Sequence, residues 1–319
     1  MFMAYVAKRI VIMIPVLFFL SIMVFSLIHL IPGDPAQIIL GQDATPQSLA
    51  ALRAQLGLNL PLPTQYIHWV GRILQGNLGY SLLDHTPVST LIMQRLPVTV
   101  ELAIGTVIVA FLISFPLGIL AAVKRDKWED FTALFASTIG LSVPPFWIGI
   151  LFLLFFTVKI HLFPSSGYVP IWQNPGQNLS VMILPMVATG IREAAVLLRM
   201  LRSSLLDVID HDFIRTARAK GLAGWAVIVR HALKNAMIPV ITTGGLQIAG
   251  LLGGLVITEE IFSLPGFGSL LVNSVFSRDY TTVQACALIA ALLVVVVNLL
   301  VDLVYGLMDP RIRLQRGKS

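Results

Sequence analysis

The stretch FIRTARAKGLAGWAVIVRHALKNAMIP, residues 213–239, interrupts a chain that is otherwise strongly hydrophobic. It contains five Lys or Arg side chains and two glycines, and a long apolar run lies on either side of it. Basic residues concentrate in the cytoplasmic loops of membrane proteins, because charged groups are costly inside lipid. We therefore interpret this stretch as a folded cytoplasmic loop, whose role depends on the membrane topology around it.

The composition of the 319-residue chain indicates an integral membrane protein. Hydrophobic residues make up 56% of the chain and charged residues 12%, whereas about a quarter of a soluble domain is charged. The net charge of +6 is explained by basic loops, so no nucleic-acid partner is predicted. The chain has one cysteine, Cys286, so an internal disulfide is excluded. This cysteine lies in an apolar run.

Six apolar segments are long enough to cross about 30 Å of hydrocarbon at ~1.5 Å per residue. They are residues 10–31, 99–123, 133–158, 181–198, 240–258 and 283–308. The fourth segment carries Arg192 and Glu193. The prediction is an all-α polytopic membrane protein with six transmembrane helices.

The basic residues predict the orientation of these spans. Sixteen of the 22 Lys and Arg side chains fall on one side, at 8–9, 124–127, 199–234 and 311–318. This asymmetry places both the N- and the C-terminus in the cytoplasm. The first apolar run is followed by IPGDP (31–35) rather than by a small-residue cleavage site, so an uncleaved anchor is expected.

The segment between the first two spans, residues 32–96, is predicted to lie outside the cell. Helical patterns cover 46–56, ended by Gly57, and 64–74, followed by Gly76. The sequence GNLGYS at 76–81 is typical of a turn that returns to the membrane. We expect this segment to cap the outer mouth of the bundle.

The quoted loop has the pattern of two helices separated by a glycine. Asp212 is a candidate N-cap for a helix over 213–220, and Gly221 is expected to end that helix in the left-handed conformation. A second helix is predicted over 225–236, running to Pro239. The first helix has an apolar face with Phe213, Ile214 and Ala217, and a basic face with Arg215 and Arg218. Its alternative role is that of an amphipathic helix lying on anionic lipid.

This order of elements resembles the EAA loop of the permease subunits of ABC importers. The consensus of that family has Glu-Ala-Ala ahead of the glycine, where this chain has RTA at 215–217, so only Ala217 and Gly221 match. The departure is typical of the oligopeptide, dipeptide and nickel branch, whose loop resembles TARAKG (216–221) and RHALKNA (230–236). Further matching motifs are IPGDP (31–35), GNLGYS (76–81), SVPPFW (142–147), EIFSLPGFG (260–268) and DPRIR (309–313).

The resemblance is to the first permease subunit of a peptide importer and implies the type I ABC importer permease fold. It implies residence in the bacterial inner membrane, surrounded by lipid, as half of a pore completed by a second homologous permease. Two separate ATP-binding subunits and an extracytoplasmic substrate-binding protein are the other implied partners. The implied organisation is an N-terminal anchor with its external segment over 1–97 and a permease core over 98–319.

In that family a short coupling helix docks into a groove of the ATPase, which here implies a coupling loop at about 199–238. Ala217 and Gly221 are spaced to let another protein approach closely. The residues expected to carry the coupling are Phe213, Arg215, Ala217, Arg218, Lys220 and Gly221.

The chain has no sequence pattern for catalysis or for a cofactor. GKS at 317–319 is not a phosphate-binding loop, since such a loop needs a glycine where Ile312 stands and a helix after it. The six histidines lack metal-binding spacing, and no intramembrane protease motif is present. We therefore predict a transporter subunit, not an enzyme, with no cofactor.

Ionisable residues and glycines within the spans are candidates for the pathway or its gate. Asp302 is interpreted either as an inter-helix partner, with Arg192 as one candidate, or as a gating residue. Gly250 and Gly254 form a GxxxG pair that permits close helix approach. Glu259 and Glu260 end the fifth span, and at least one is expected to face the outer mouth.

Two other classes of function remain open from the sequence. An ion-coupled secondary transporter would need carboxylates near the middle of the membrane, whereas the charges here are mostly off-centre. A membrane scaffold or receptor would show no transport. Within the importer class, dipeptides, longer peptides, glutathione, nickel complexes and opines all suit the motifs.

Overall fold

A computed structural model describes residues 2–30, 35–40, 44–55 and 57–308, and within them every long regular element is a helix. The N-terminal helices are α1 (Phe2–Leu30), α2 (Pro35–Leu40), α3 (Pro46–Gln55) and α4 (Leu62–Leu74). The central helices are α5 (Val88–Val123), α6 (Trp128–Ser142), α7 (Pro145–Phe152) and α8 (Pro175–Ile209). The C-terminal helices are α9 (Asp212–Ala219), α10 (Gly224–Ala226), α11 (Leu233–Gly254), α12 (Val256–Ile261), α13 (Phe267–Phe276) and α14 (Tyr280–Met308). The predicted DPRIR motif and most of IPGDP lie outside the described residues.

Helix α8 is the centre of the bundle and packs against α5, α6, α7 and α11. Its approach to α5 is close because Gly190 faces the Val109 side chain and the Thr106 carbonyl oxygen, where a Cβ atom would leave too little room. Inside a membrane there is no hydrophobic driving force between helices, so van der Waals packing stabilises their contacts. Small residues permit this packing because they let two helix backbones approach closely. The predicted fourth span is therefore a central helix, although it carries Arg192 and Glu193.

Four described helices are long and apolar enough to cross a membrane, and they correspond to the first, second, fourth and sixth predicted spans. The third predicted span corresponds to α6 together with α7 and its π-helical continuation, a pair bent by 93°. The fifth corresponds to α11, which is interrupted at Leu255 before α12 continues. The count of six spans, like the orientation of the termini, stays a prediction.

The bend between α6 and α7 follows from the sequence Val143-Pro144-Pro145. Pro144 has no N–H to donate, and a residue before proline is driven out of the helical region. Val143 accordingly has an extended backbone (φ −87°, ψ 125°) and ends α6. Pro145 then begins α7. Proline is favoured at the first position of a helix, because the N–H that it lacks would have no partner there.

The predicted helices of the external segment are confirmed as α3 and α4, and Gly57 and Gly76 both have positive φ angles, 71° and 78°. The amphipathic α4 lies beside α1, where the Tyr66 and Ser21 hydroxyl groups are 2.8 Å apart. The segment 76–81, which we call the return segment, contacts the start of α14 instead, where the Ser81 hydroxyl donates a 2.6 Å hydrogen bond to Asp279. The segment is thus attached to α1 and to the start of α14.

Asp279 is a buried carboxylate that organises this attachment. It also accepts hydrogen bonds from the Thr282 hydroxyl at 2.7 Å and the Thr282 N–H at 3.3 Å, in the first turn of α14. A carboxylate at this place stabilises the unpaired N–H groups of a helix start. Gly79 leaves room for Thr281, since a Cβ at Gly79 would lie 2.7 Å from the Thr281 methyl group.

Asp302 forms an ion pair with Arg9 of α1, not with Arg192, so the suggested partner was wrong. The contact follows from the packing of α1 against α14. Arg192 is exposed on α8. Sequence reasoning counted Arg9 only among the basic residues of the predicted cytoplasmic side and missed it as a partner.

A second ion pair fixes α6 against α8 at the end of the bundle that carries α9, which we call the basic end. Asp130 is 1% exposed and accepts two hydrogen bonds from Arg202, 2.5 Å from Nε and 2.6 Å from Nη2. Asp130 also accepts from the Asp126 N–H at 3.1 Å. The two parallel hydrogen bonds and the positive charge of Arg202 compensate the cost of burying the Asp130 carboxylate. Without Arg202 the buried negative charge would be uncompensated.

We expect Arg202→Ala to lower the free energy of unfolding by about 3–5 kcal/mol, because the buried Asp130 carboxylate loses its counter-charge. Thermal unfolding of the purified chain in detergent measures the loss. The matched control is Lys124→Ala, which removes the more exposed cation of the 3.7 Å Lys124–Glu129 pair and should change stability by less than about 1 kcal/mol. The double variant Asp130→Asn, Arg202→Gln should recover most of the loss. No recovery would contradict this account.

Candidate functional site

The helix predicted over 213–220 is present as α9, Asp212–Ala219, and a glycine follows its end as expected. Gly221 has a φ of +77°, the left-handed conformation in which a side chain is strained. The N-terminal prediction was one residue out: His211, with its extended backbone, occupies the cap position, and Asp212 is the first helical residue. Asp212 instead places its carboxylate 3.5 Å from the Arg215 guanidinium, one turn along α9.

One face of α9 packs against the rest of the chain. Ile214 is 0% exposed and Ala217 6% exposed. Both belong to an apolar cluster that includes Leu201 and Leu205 of α8. The same cluster contains Val227, Ile228, Ala232, Ala236 and Val240 from the segment after α9. This packing fixes the position of α9 relative to α8 and α11, because protein interiors are close-packed.

The prediction that Ala217 is open to another protein was wrong, because its methyl group packs inside this chain. Of the two residues whose spacing suggested a close approach, Ala217 lies on the inner face of α9. Gly221 does lie open, since a Cβ at this position would meet no atom within 4 Å.

The opposite face of α9 is exposed and basic. Phe213 is 41% exposed, so it does not join the buried Ile214 as the shared apolar face implied. The Arg215 side chain is 73% exposed, and Lys220 is exposed at the end of the helix. Arg218 points to a different place, since it lines a groove beside the end of α5. The outer face therefore combines one aromatic ring with cations.

The second helix of the loop does not end at Pro239, contrary to the prediction. A π-helical turn over Val227–Ala232 leads directly into α11, and Pro239 lies inside α11. Proline removes one backbone hydrogen bond but does not end a helix whose faces are packed. The Thr243 hydroxyl donates to the Pro239 carbonyl oxygen at 3.0 Å. The second half of the loop, from Gly224, is therefore continuous with α11 as far as Gly254, the greater part of the fifth predicted span.

At the opposite end of the bundle, Glu259 joins three helices, which sequence reasoning missed. Its carboxylate is 0% exposed and accepts from the Thr99 hydroxyl of α5 at 2.5 Å and the Ser269 N–H of α13 at 2.7 Å. Thr99 in turn accepts from the Phe267 N–H at 2.7 Å. We call this set of contacts the Glu259 junction. Glu259 thus neutralises the partial positive charge at the start of α13 rather than facing open space.

Two glycines make room for the Glu259 junction. A Cβ on Gly266 would overlap the Glu259 carboxyl group, and one on Gly268 would lie 3.0 Å from a Glu259 carboxylate oxygen. The spacing Gly266-x-Gly268, following a pair of glutamates, is the signal that identifies this contact in the sequence. Glu260, the next residue, is exposed and remains the candidate at the mouth.

The glycines of α11 differ in what surrounds them. A Cβ at Gly245 would overlap Val301 of α14, so Gly245 serves close packing within the chain. A Cβ at Gly250 would meet no atom within 4 Å, and Gly254 is the last residue of α11. The GxxxG pair thus makes no close helix contact at Gly250 within the described residues.

The described residues contain no group of three or more His, Cys, Asp or Glu side chains that could hold a metal ion. The arrangement comprises the short helix α9 with one buried and one exposed face, the long helix α11, and the contacts of Glu259 at the opposite end of the bundle.

This architecture is that of a transport permease, and the sequence matches such a family over most of its length. Residues 114–314 match the family described as the binding-protein-dependent transport system inner membrane component. Residues 1–103 match the N-terminal part of the same kind of membrane component. The chain belongs to this family of ABC transporter membrane permeases.

Its relatives are similar from end to end. A permease protein of Brucella melitensis named for a peptide transport system is 41% identical over 317 residues, which cover 98% of this chain and 99% of that protein. The glutathione transport system permease protein GsiC of Salmonella typhimurium is 41% identical over 309 residues, or 97% of this chain and 98% of that one.

Solved structures share the fold. The inward-facing methionine ABC transporter MetNI has a chain that superposes with a TM-score of 0.57 at 16% identity, covering 69% of this chain and 96% of that chain. An amino acid ABC transporter crystallised with histidines gives a TM-score of 0.51 at 16% identity, with 68% and 94% covered. The ABC importer permease fold predicted from the motifs is thus confirmed at the level of architecture.

We expect Gly266→Ala to lower the free energy of unfolding by about 1–3 kcal/mol, because its methyl group has to displace the tightly held Glu259 carboxylate. Thermal unfolding in detergent provides the measurement. Gly253→Ala is the matched control, since a Cβ there meets no atom within 4 Å and alanine favours helix over glycine. Equal stability of the two variants would show that the Glu259 carboxylate can move aside without loss of stability.

Proposed function

We propose that this chain forms half of the translocation pore of a binding-protein-dependent ABC importer in the bacterial inner membrane. A second homologous permease supplies the other half, two separate ATP-binding subunits supply energy, and an extracytoplasmic binding protein delivers the substrate. The observation that carries the proposal is the two-faced α9, whose inner face is embedded among α8 and α11 while its outer face is exposed.

The outer face of α9 suits a groove on another protein. The exposed ring of Phe213 supplies an apolar anchor, and Arg215 and Lys220 supply positive charge around it. Aromatic residues and arginine are enriched where interfaces carry most of their binding energy. Motion of a bound ATPase would enter through Ile214 and Ala217, which touch the cluster at the base of α8 and α11.

The proposed substrate class is peptides or related small solutes, including glutathione. Support comes from relatives at 41% identity that are named for peptide and for glutathione transport. An ion-coupled secondary transporter is the less favoured alternative, because Asp302 is paired with Arg9 and Glu259 is buried in hydrogen bonds.

The pathway is proposed to run beside α11. Gly250 and Gly254 would let the second permease approach this helix closely, since glycine exposes backbone for contact. Glu260 would lie at the outer mouth, where a carboxylate attracts the amino terminus of a peptide or a basic patch of the binding protein.

We expect Gly221→Trp to assemble into the membrane but to lose most of the substrate-stimulated ATP hydrolysis of the reconstituted importer. The indole would occupy the open space next to α9 that the ATPase needs. Gly221→Asn is the matched control, because asparagine tolerates the left-handed backbone with a much smaller side chain. Stimulated hydrolysis at the wild-type level in Gly221→Trp would refute this docking site.

We expect Glu260→Gln to leave thermal stability unchanged and to raise the KM for uptake about two- to fivefold, the effect of losing one exposed ion pair. Glu259→Gln is the comparison variant, and it should lower thermal stability because a buried acceptor of two hydrogen bonds is altered. Uptake by reconstituted vesicles at varied peptide concentration gives the KM. An unchanged KM for cationic, neutral and anionic peptides would exclude Glu260 from the mouth.

A further inference from the structure

A groove of about 550 Å³ lies at the basic end, between the last two turns of α5 and the segment that follows α9. Its lining is Pro116, Ile119, Leu120, Val123, Gly224, Trp225, Ile228 and Arg218. Apart from the Arg218 guanidinium and the indole N–H of Trp225, these residues offer apolar side chains or, at Gly224, backbone. The volume is that of a typical small-molecule site, and the groove is partly open to its surroundings.

The groove continues an apolar stripe that runs along α5. Ile108 is 53% exposed and Leu112 is 70% exposed, and they precede Leu120 on the exposed side of the same helix. Helix α5 is one of the helices long and apolar enough to cross a membrane. A hydrocarbon chain lying along this stripe would enter the groove at the level where α5 leaves the membrane.

Arg218 provides the charge at the mouth of the groove. Among the described residues, no carboxylate forms an ion pair with it within 4 Å, whereas Lys124 pairs with Glu129, and Arg125 pairs with Asp126. The guanidinium group is therefore available for an external anion, and its planar fork suits a phosphate.

Trp225 completes the arrangement. Its side chain is 67% exposed beside the groove, next to Arg218. Tryptophan is enriched at the level of lipid headgroups, because its ring is apolar and its N–H donates a hydrogen bond. These features match the parts of an anionic phospholipid. The apolar groove suits the acyl chain, Trp225 suits the headgroup level, and Arg218 suits the phosphate.

We propose that this groove binds an anionic phospholipid, with an acyl chain against α5 and the headgroup phosphate on Arg218. The lipid would then lie between α5 and the coupling segment, in contact with both. A protein occupant fits less well, because the groove offers no polar side chain other than Arg218 and Trp225 among the described residues to pair with a partner backbone. The site is additional to the proposed ATPase contact, which uses Phe213, Arg215 and Lys220.

Photo-cross-linking tests the proposal in the assembled importer, reconstituted in vesicles of equal parts phosphatidylethanolamine and phosphatidylglycerol. A benzophenone amino acid replaces Leu120 in the groove or, as the matched control, Leu112 on the same stripe outside it. Mass spectrometry then identifies the adducts. We expect phosphatidylglycerol to be enriched about fivefold at position 120 relative to position 112, the factor that one cation contributes near an anionic surface. Adding Arg218→Gln should abolish the enrichment.

Each other outcome overturns the proposal. Adducts with a second permease or an ATPase at position 120 would identify a protein interface. Equal lipid composition at positions 120 and 112, or an enrichment that survives Arg218→Gln, would identify ordinary contact with the bilayer. Absence of any adduct would show that no lipid enters the groove. Substrate-stimulated ATP hydrolysis, measured on the same vesicles, reports separately on the coupling role of α9.

Discussion

The burial of Ile214 and Ala217 in the cluster formed with α8 and α11 is the contact on which the rest of the molecule depends. It makes a short surface helix part of the membrane bundle. The same cluster contains Val227, Ile228 and Ala232 of the π-helical turn, which leads into α11 without a break, so α9 is packed against the start of that long helix. A helix held in this way is suited to pass on movement, since close-packed side chains do not slide freely past one another.

The opposite end of the bundle is held by polar contacts rather than by apolar packing alone. Glu259 connects α5 with the start of α13, and Asp279 connects the Ser81 return segment with the start of α14. Each carboxylate meets the unpaired N–H groups of a helix start and a hydroxyl group from a distant part of the chain. Such networks specify one arrangement of helices, because a buried acceptor without its donors is costly.

Sequence reasoning predicted the external helices, the position of α9 and the left-handed Gly221. These features depend on local signals, namely apolar periodicity and the backbone freedom of glycine. The errors arose where a local signal met tertiary packing. Pro239 was expected to end a helix, but packed neighbours carry α11 through it, and the partner of Asp302 came from the distant α1.

The sequence by itself determined that the chain belongs in a membrane, which apolar segments lie in its long helices, and which loop carries the short basic helix. These properties follow from composition, periodicity and charge, each of which is local. The sequence did not determine where the long helices end, since α5 begins 11 residues before the predicted second span and α8 ends 11 residues after the predicted fourth. Only the tertiary structure decided that Ala217 faces inward, that Glu259 is buried and that Glu260 is exposed. Adjacent residues on a helix point about 100° apart, so their surroundings are set by which distant helices pack on each side.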